Sequence, residues 1–372
     1  MRRTRVAMVT NTPAPYRLPA LQRLAEFEDV ELHAIYCAQP HIDPSLGAQA
    51  HEFPVHWLKG RYRAYSKRFM HSDLGVVRVL RELRPDVVIT CGYIPTFLFA
   101  FVWARLAGVP HVVMTDGTLV SERGLTPLHR WVRKFVWRRS SAFVGACEGS
   151  LDLFRAAGIQ ASRLFKAPLA VDNERYADAA RASSDQVDFL FCGRLLPLKR
   201  PEFALEVAAA TARMVGRRTS ICFAGEGSEE AFLRARAVEL QEQVEVRFLG
   251  HLPQARLPEV YGAARVFLFP SEFDVWGVVA NEACAAGVPV LVSPHAGAAH
   301  ELIVDGENGR VLPLDLNAWS DAAAILLQDE ALRARMGECG STAVRSYSFD
   351  AAAEALLQAV RLADGERRRE PA

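Results

Sequence analysis

Two pairs of charged side chains stand at spacings that could do chemistry. Arg194 and Lys199 lie five positions apart in GRLLPLK, after the apolar run DFLFCGR (188–194) and before Pro201, a residue suited to the first turn of a helix. Two cations on a strand-to-helix loop can grip adjacent phosphates, Arg through a planar fork and Lys as a point charge. Taken alone, the pair reads more simply as two exposed loop cations. Asp274 and Glu282, with seven residues between them, fall in PSEFDVWGVVANEACAAGVPVLVS (270–293). There a strand ends at Pro270-Ser271, an acidic turn leads to Gly277, a helix runs to about Ala286, and Pro289 opens the next strand. The peptide N–H groups near Gly277 and Val278 are free donors at a positive helix end and can hold an anion. Glu282, in the helix's second turn, can accept two bonds from vicinal hydroxyls such as those of a ribose. A merely solvated carboxylate fits poorly there, because Val279, Ala280, Ala283 and Cys284 around it are apolar.

Residues placed just beyond strands need a scaffold whose strands end on one side. In the first half the short apolar runs are RVAMVTN (5–11), VELHAIYCA (30–38), DVVITCG (86–92), HVVMTD (111–116) and SAFVGA (141–146). In the second they are DFLFCGR, SICFAGEG (220–227), VEVRFLG (244–250), RVFLFPS (265–271) and PVLVS (289–293). Near-continuous apolar strands separated by helices predict parallel sheets covered on both faces. The fold class is therefore α/β: two Rossmann-like, doubly wound domains facing across a cleft, with ligands at the carboxyl ends of the strands. The connection AVDNERYADAARASSDQVD (170–188) is polar and lacks a buried pattern, which puts an N-terminal domain at 1–175 and a C-terminal one at 187–345. An amphipathic helix over 350–363 is free to pack back on the first domain, and 364–372 reads as a disordered tail.

The 372 residues hold 44 Lys plus Arg against 43 Asp plus Glu, and half are apolar, which excludes disordered, collagen-like and coiled-coil chains. The balance hides an asymmetry: residues 1–186 carry 25 basic and 17 acidic side chains, and residues 187–372 carry 19 and 26. This suggests different partners for the two halves, or only two differently solvated surfaces. Near neutrality overall argues against nucleic acid. No apolar run reaches the ~20 residues of a membrane-spanning helix. Asn11 and Pro13 break the N-terminal apolar stretch before it reaches signal-peptide length. Seven scattered cysteines without a Cys-x-x-Cys pair read as reduced thiols, so the expected compartment is the cytoplasm.

The order GRLLPLK, FLGHLP, a Pro-Ser turn, DVWGVVANEACAAGVPVLVS and GAAHELIVDGENGRV resembles glycosyltransferase family 4, retaining nucleotide-sugar-dependent enzymes with the GT-B fold. The likeness covers most of 187–345, and TPAPYR (12–17) extends it loosely into the first half. In that family the segment equivalent to 274–282 has Glu, seven residues, then Glu; here the first carboxylate is Asp274, one methylene shorter. The resemblance implies that Gly193, Arg194 and Lys199 bind the donor diphosphate and that Glu282 holds the ribose. It further implies that Asp274, with the backbone of Trp276, Gly277 and Val278, faces the sugar hydroxyls, and that Gly250, His251 and Leu252 lie near the base. Arg194, Lys199, Asp274 and Glu282 would form the catalytic set. The implied reaction moves a sugar from a UDP- or GDP-sugar to an acceptor hydroxyl in polysaccharide or glycolipid synthesis, without a further cofactor. No Asp-x-Asp occurs, so no metal is expected.

On the acceptor side the candidates are Pro15, Tyr16 and Arg17 after the first strand and Asp116 after HVVMT. Many family members carry a His in the latter region, and no His role is transferred to Asp116. Singly, these residues read equally as an ordinary proline-rich turn and a helix cap. Gly225-Glu226-Gly227 lacks a third glycine and reads as structural. Two basic, aromatic stretches, 58–83 and 129–139, fit peripheral contact with an anionic membrane or binding of an acidic acceptor; they fit equally helices with an aromatic core face and a solvated basic face. The family's habits and the basic first half together point to a polysaccharide-precursor or lipid-linked acceptor. The alternatives to transfer are a non-catalytic partner that binds a sugar nucleotide, and an epimerase or phosphorylase on the same fold.

Overall fold

Neighbouring residues of the first strand, β1 (Thr4–Thr10), go to opposite apolar clusters: Val6 and Met8 to one, Ala7 and Val9 to the other. That split is the physical content of a strand buried on both faces. The computed structural model describes residues 2–37, 51–60, 62–65, 68–182 and 186–369. The chain divides into two units, residues 1–169 with 349–372, and residues 170–348.

In the first unit β1 is followed by β2 (Val30–Tyr36), β3 (Val55–Trp57), a hairpin of β4 (Tyr62–Tyr65) and β5 (Arg68–His71), then β6 (Val87–Thr90), β7 (His111–Thr115), β8 (Ala142–Gly145) and β9 (Leu164–Lys166). Seven of them form a parallel sheet in the order β3-β2-β1-β6-β7-β8-β9. The helices are α1 (Leu18–Glu26), α2 (Gly75–Leu83), α3 (Pro95–Leu106), α4 (Leu119–Glu122), α5 (Pro127–Trp137) and α6 (Glu148–Ala156). Part of the basic stretch 58–83 is thus the β4–β5 hairpin and not one long helix.

The second unit opens with α7 (Asn173–Ala182). Its sheet is built from β10 (Val187–Cys192), β11 (Thr219–Ala224), β12 (Val244–Gly250), β13 (Ala264–Phe269), β14 (Val290–Val292) and β15 (Gly309–Val311), all parallel, in the order β12-β11-β10-β13-β14-β15. Its other helices are α8 (Pro201–Val215), α9 (Glu230–Glu239), α10 (Leu257–Gly262), α11 (Val278–Ala285), α12 (Leu316–Gln328) and α13 (Glu330–Ala343). Phe189, Phe191, Phe223 and Leu268 meet Ala204, Ala208 and Trp319 of α8 and α12 in one core.

Two expectations change. The connection over 170–188 contains α7, which is held by the buried Tyr176 and belongs to the second unit. The tail expected to be disordered from 364 continues the last helix, α14 (Phe349–Arg369). Ala353, Leu356, Ala359, Val360 and Ala363 bury one face of α14 in the same cluster as Leu21 and Leu24 of α1. Polar anchors carry the helix further: Thr4 Oγ1 donates to Asp364 at 3.1 Å and Arg367 donates to Asp86 at 2.9 Å. Composition alone hides this, because each charge finds its partner across the unit.

In each sheet the chain runs outward to one side and then returns to the other flank of its first strand. The reversals lie between β1 and β6, and between β10 and β13. Loops diverge at such points and leave room for a ligand at the carboxyl edge.

Candidate functional site

The loops after β10 and β13 are joined at this edge. The Glu272 N–H donates to the Leu198 carbonyl at 2.9 Å, the Lys199 ammonium donates to the Asp274 carboxylate at 2.5 Å, and Arg200 donates to Glu272 at 2.6 Å. The Lys199–Asp274 pair is mostly sheltered, with side chains 17% and 24% exposed. After β10 the chain turns through a short 3₁₀ segment, Pro197–Lys199, before Pro201 starts α8. Arg194 stands exposed on the same loop. The loop is backed by Gly225 and Gly227: a Cβ on either would lie 2.0 or 2.1 Å from the carbonyl oxygens of Gly193 and Leu195. That close approach explains the two glycines without a ligand. Glu226, between them, accepts from the His251 N–H at 3.2 Å and ties in the end of β12.

The acidic turn runs beside residues 295–298, with the Gly297 N–H donating to the Asp274 carbonyl at 3.0 Å and the Ala298 N–H to the Trp276 carbonyl at 2.8 Å. Gly277 has φ +97° and faces the Phe269 ring, which a Cβ would meet at 2.4 Å, so both conformation and space demand glycine. It caps α11 without any side-chain acceptor for the first-turn N–H groups. The Ala280 N–H donates to the Gly277 carbonyl at 2.9 Å, and a helix start without a side-chain cap is one at which an anion can bind.

Glu282 is inside the fold, 4% exposed. Burial pushes its carboxyl up to about 7, and the hydroxyls of Tyr261 and Tyr176 check a further rise. Tyr261 lies between Glu282 and Cys192, and its hydroxyl makes no bond of good geometry to either. Sequence reasoning missed both tyrosines; the signal was a large aromatic at position 176 in a stretch otherwise polar or small. Trp276 is a core residue: its indole N–H donates to Asn281 at 2.8 Å and its ring stacks on Tyr347, 5.2 Å between centres. What Trp276 offers the edge is backbone.

At the carboxyl edge of the first sheet, a cavity of about 160 Å³ is lined by residues that include Thr10, Asn11, Tyr16, Arg17, Cys91 and Asp116. It gathers the acceptor-side candidates Tyr16, Arg17 and Asp116; Pro15 stiffens the loop that carries them. The Arg17 guanidinium is bonded to the Asp116 carboxylate. Burial by itself lowers the pKa of Arg17, and Asp116 reverses this and leaves it raised.

Lys199 and Asp274 are thus in direct contact, with Arg194 on the same loop as Lys199 and Glu282 one helix turn and more behind the start of α11. Gly250, His251 and Leu252 lie along the same edge at the end of β12, two strands from β10. Among the described residues no group of three or more His, Cys, Asp or Glu side chains is arranged to ligate a metal, and no helix is long and apolar enough to cross a membrane.

The family described as "Glycosyl transferases group 1" matches residues 172–342, and the "Glycosyl transferase 4-like domain" matches 2–169. D-inositol 3-phosphate glycosyltransferase of Corynebacterium glutamicum is 36% identical over 172 residues, 45% of this chain and 41% of that protein. The enzyme of the same name from Nocardia farcinica is 30% identical over 270 residues, 68% and 58%. The chain therefore spans about two-fifths to three-fifths of these curated relatives. Among solved structures, Anabaena HepE in complex with UDP is 17% identical with a TM-score of 0.74, over 96% of this chain and 98% of that one. A glycosyltransferase of Rickettsia africae is 11% identical with a TM-score of 0.75, over the full length of both. These two likenesses establish the fold.

Proposed function

Because the chain belongs to the glycosyl transferases of group 1, we propose that it moves a sugar from a nucleoside diphosphate to an acceptor hydroxyl with retention of configuration. The observation that carries this reading is the juxtaposition of Lys199, Asp274 and the uncapped start of α11 at the strand-order reversal of the second unit. As the glycosidic C–O bond breaks, negative charge grows on the diphosphate. Lys199, Arg194 and the N–H groups behind Gly277 would receive it as fixed donors. Lys199 would exchange Asp274 for phosphate, freeing the Asp274 carboxylate for a sugar hydroxyl. Glu282 would accept from the ribose, and the Gly250–Leu252 turn would border the base. The departing phosphate oxygen would take the acceptor's proton, so the scheme needs no separate general base and no cofactor.

HepE structures hold UDP and, in one case, UDP-glucose, which makes UDP-sugars the first donors to try alongside GDP-sugars. A cognate donor at 100 times its Kd stabilises the native state by about 2.7 kcal/mol, so thermal melting against a panel of nucleotide sugars should single it out. Release of free nucleoside diphosphate should then require an acceptor. A panel in which no sugar nucleotide raises Tm would refute the reading.

The partner surface proposed for the first unit is α5 and the turn before it. Trp137 and Val136 face the core, whereas Leu128 and Trp131 are 67% and 62% exposed among the exposed cations Arg130, Lys134 and Arg138. This composition suits an anionic bilayer and a lipid-linked acceptor. Trp131→Ala should weaken sedimentation with anionic phospholipid vesicles several-fold and leave Tm unchanged. Equal binding to neutral vesicles would contradict it.

A further inference from the structure

We propose that the cavity at the carboxyl ends of β1, β6 and β7 accepts an uncharged polyol or sugar and discriminates against phosphorylated ones. The inference rests on the glycosyl-transfer reading and names the acceptor class for it. An anionic acceptor needs an unspent cation or unspent peptide N–H groups. Arg17 is the one cation among the residues that line the cavity, and its guanidinium is bonded to Asp116 and lies 3.5 Å from the Met114 sulfur. Cation and anion cancel, and Asp116, 39% exposed, would repel an incoming phosphate.

The peptide donors at the two helix starts beside the cavity are engaged as well. At the start of α1 the N–H groups of Arg17 and Leu18 both donate to the Ala14 carbonyl at 2.9 Å, and Pro19 has none. In the loop after β7, the Gly117 N–H donates to Thr115 Oγ1 at 3.0 Å. The Thr118 N–H donates to Ser121 Oγ at 2.9 Å, within a reciprocal cap that closes α4. Apart from the Arg17–Asp116 pair, the residues that line the cavity are uncharged: Thr10, Thr12, Tyr16 and Thr115 bring hydroxyls and Asn11 an amide, beside Ala14, Cys91 and Met114. Hydroxyls and amides both donate and accept, which matches a ring bearing several hydroxyl groups. The curated relatives are named for a phosphorylated inositol; this cavity predicts the opposite preference for the chain described here.

The test is calorimetric titration of the full chain, with and without saturating UDP, using myo-inositol and glucose against inositol 3-phosphate and glucose 6-phosphate. The neutral compound of at least one pair should bind at least tenfold more tightly than its ester. Asp116→Asn releases Arg17 and should shift that ratio at least tenfold toward the ester. Asn11→Lys, at an exposed rim position where folding is not at stake, should shift it in the same direction. A wild-type preference for the esters would overturn the proposal. So would failure of both neutral compounds to bind while UDP binds, a result that leaves the donor reading standing. Variants that melt like wild type yet leave the ratio unchanged would also overturn it. Absence of UDP binding alone would count against the transferase reading and not against the cavity.

Discussion

Lys199→Ala is expected to lower kcat/KM for sugar transfer by about 10²–10³-fold, the usual consequence of removing one fixed donor aimed at developing charge. The protein should stay folded. Lys199 and Asp274 are mostly sheltered but keep some contact with solvent, so the ion pair contributes on the order of 1 kcal/mol to stability. A drop of Tm by a few degrees at most would separate this loss from unfolding. The companion Asp274→Asn tests the exchange: it releases the ammonium without removing it. UDP or GDP alone should then bind more tightly while turnover falls, because the carboxylate proposed to face the sugar is gone. Full activity in folded Lys199→Ala would end the proposed assignment.

Glu282→Gln is expected to raise stability at pH 8 and to weaken donor binding at the same time. The sign follows from the proton count. The Glu282 carboxyl titrates near 4.5 in the unfolded chain and about 7 in the folded one. Between those values the native state keeps a proton that the unfolded chain has released, so stability falls as pH rises through this window and is level above it. At roughly 1.4 kcal/mol per pH unit the loss is on the order of 3 kcal/mol, and glutamine does not suffer it. Urea unfolding at pH 5 and pH 8 should therefore show a pH-dependent wild type and a flatter variant that is more stable at the higher pH. Under the proposed role, the ribose in the same variant loses a charged acceptor, a bond worth about 1.5–3 kcal/mol, and donor Kd should rise on the order of ten- to a hundredfold. A variant less stable than wild type at pH 8 would show that the carboxylate is well solvated or paired in the native state. Unchanged donor affinity would remove Glu282 from the site. A carboxylate that is buried beside two tyrosine hydroxyls and costs stability at neutral pH is a candidate for a binding role.

The strands that build both sheets were legible because a strand buried on both faces must be apolar at nearly every position, as in VAMV and FLF. The short edge strands β3, β9 and β15 were not, since three residues carry no periodicity. α7 leaves little trace in the sequence, because a helix held by one aromatic, Tyr176, has almost no pattern to read. The overlooked end of α14 is similar: its extension past residue 363 depends on Asp86 and Thr4, far off in sequence. At the site, spacing was sufficient to pair Asp274 with Glu282 and to put Arg194 and Lys199 on one loop. It gave no sign that Lys199 would rest on Asp274, that Trp276 would be core, or that Tyr176 and Tyr261 would flank Glu282.

Local chemistry therefore determined which residues stand just after strands, where glycine and proline turn the chain, and which family's order of motifs it carries, since these depend on neighbours a few positions apart. Tertiary structure alone decided the charge state of the edge: which cation is matched by which carboxylate, 75 residues apart for Lys199 and Asp274 and 99 for Arg17 and Asp116. Electrostatic pairing and desolvation act through space, and a linear pattern holds no distance between segments that only the sheet order brings side by side.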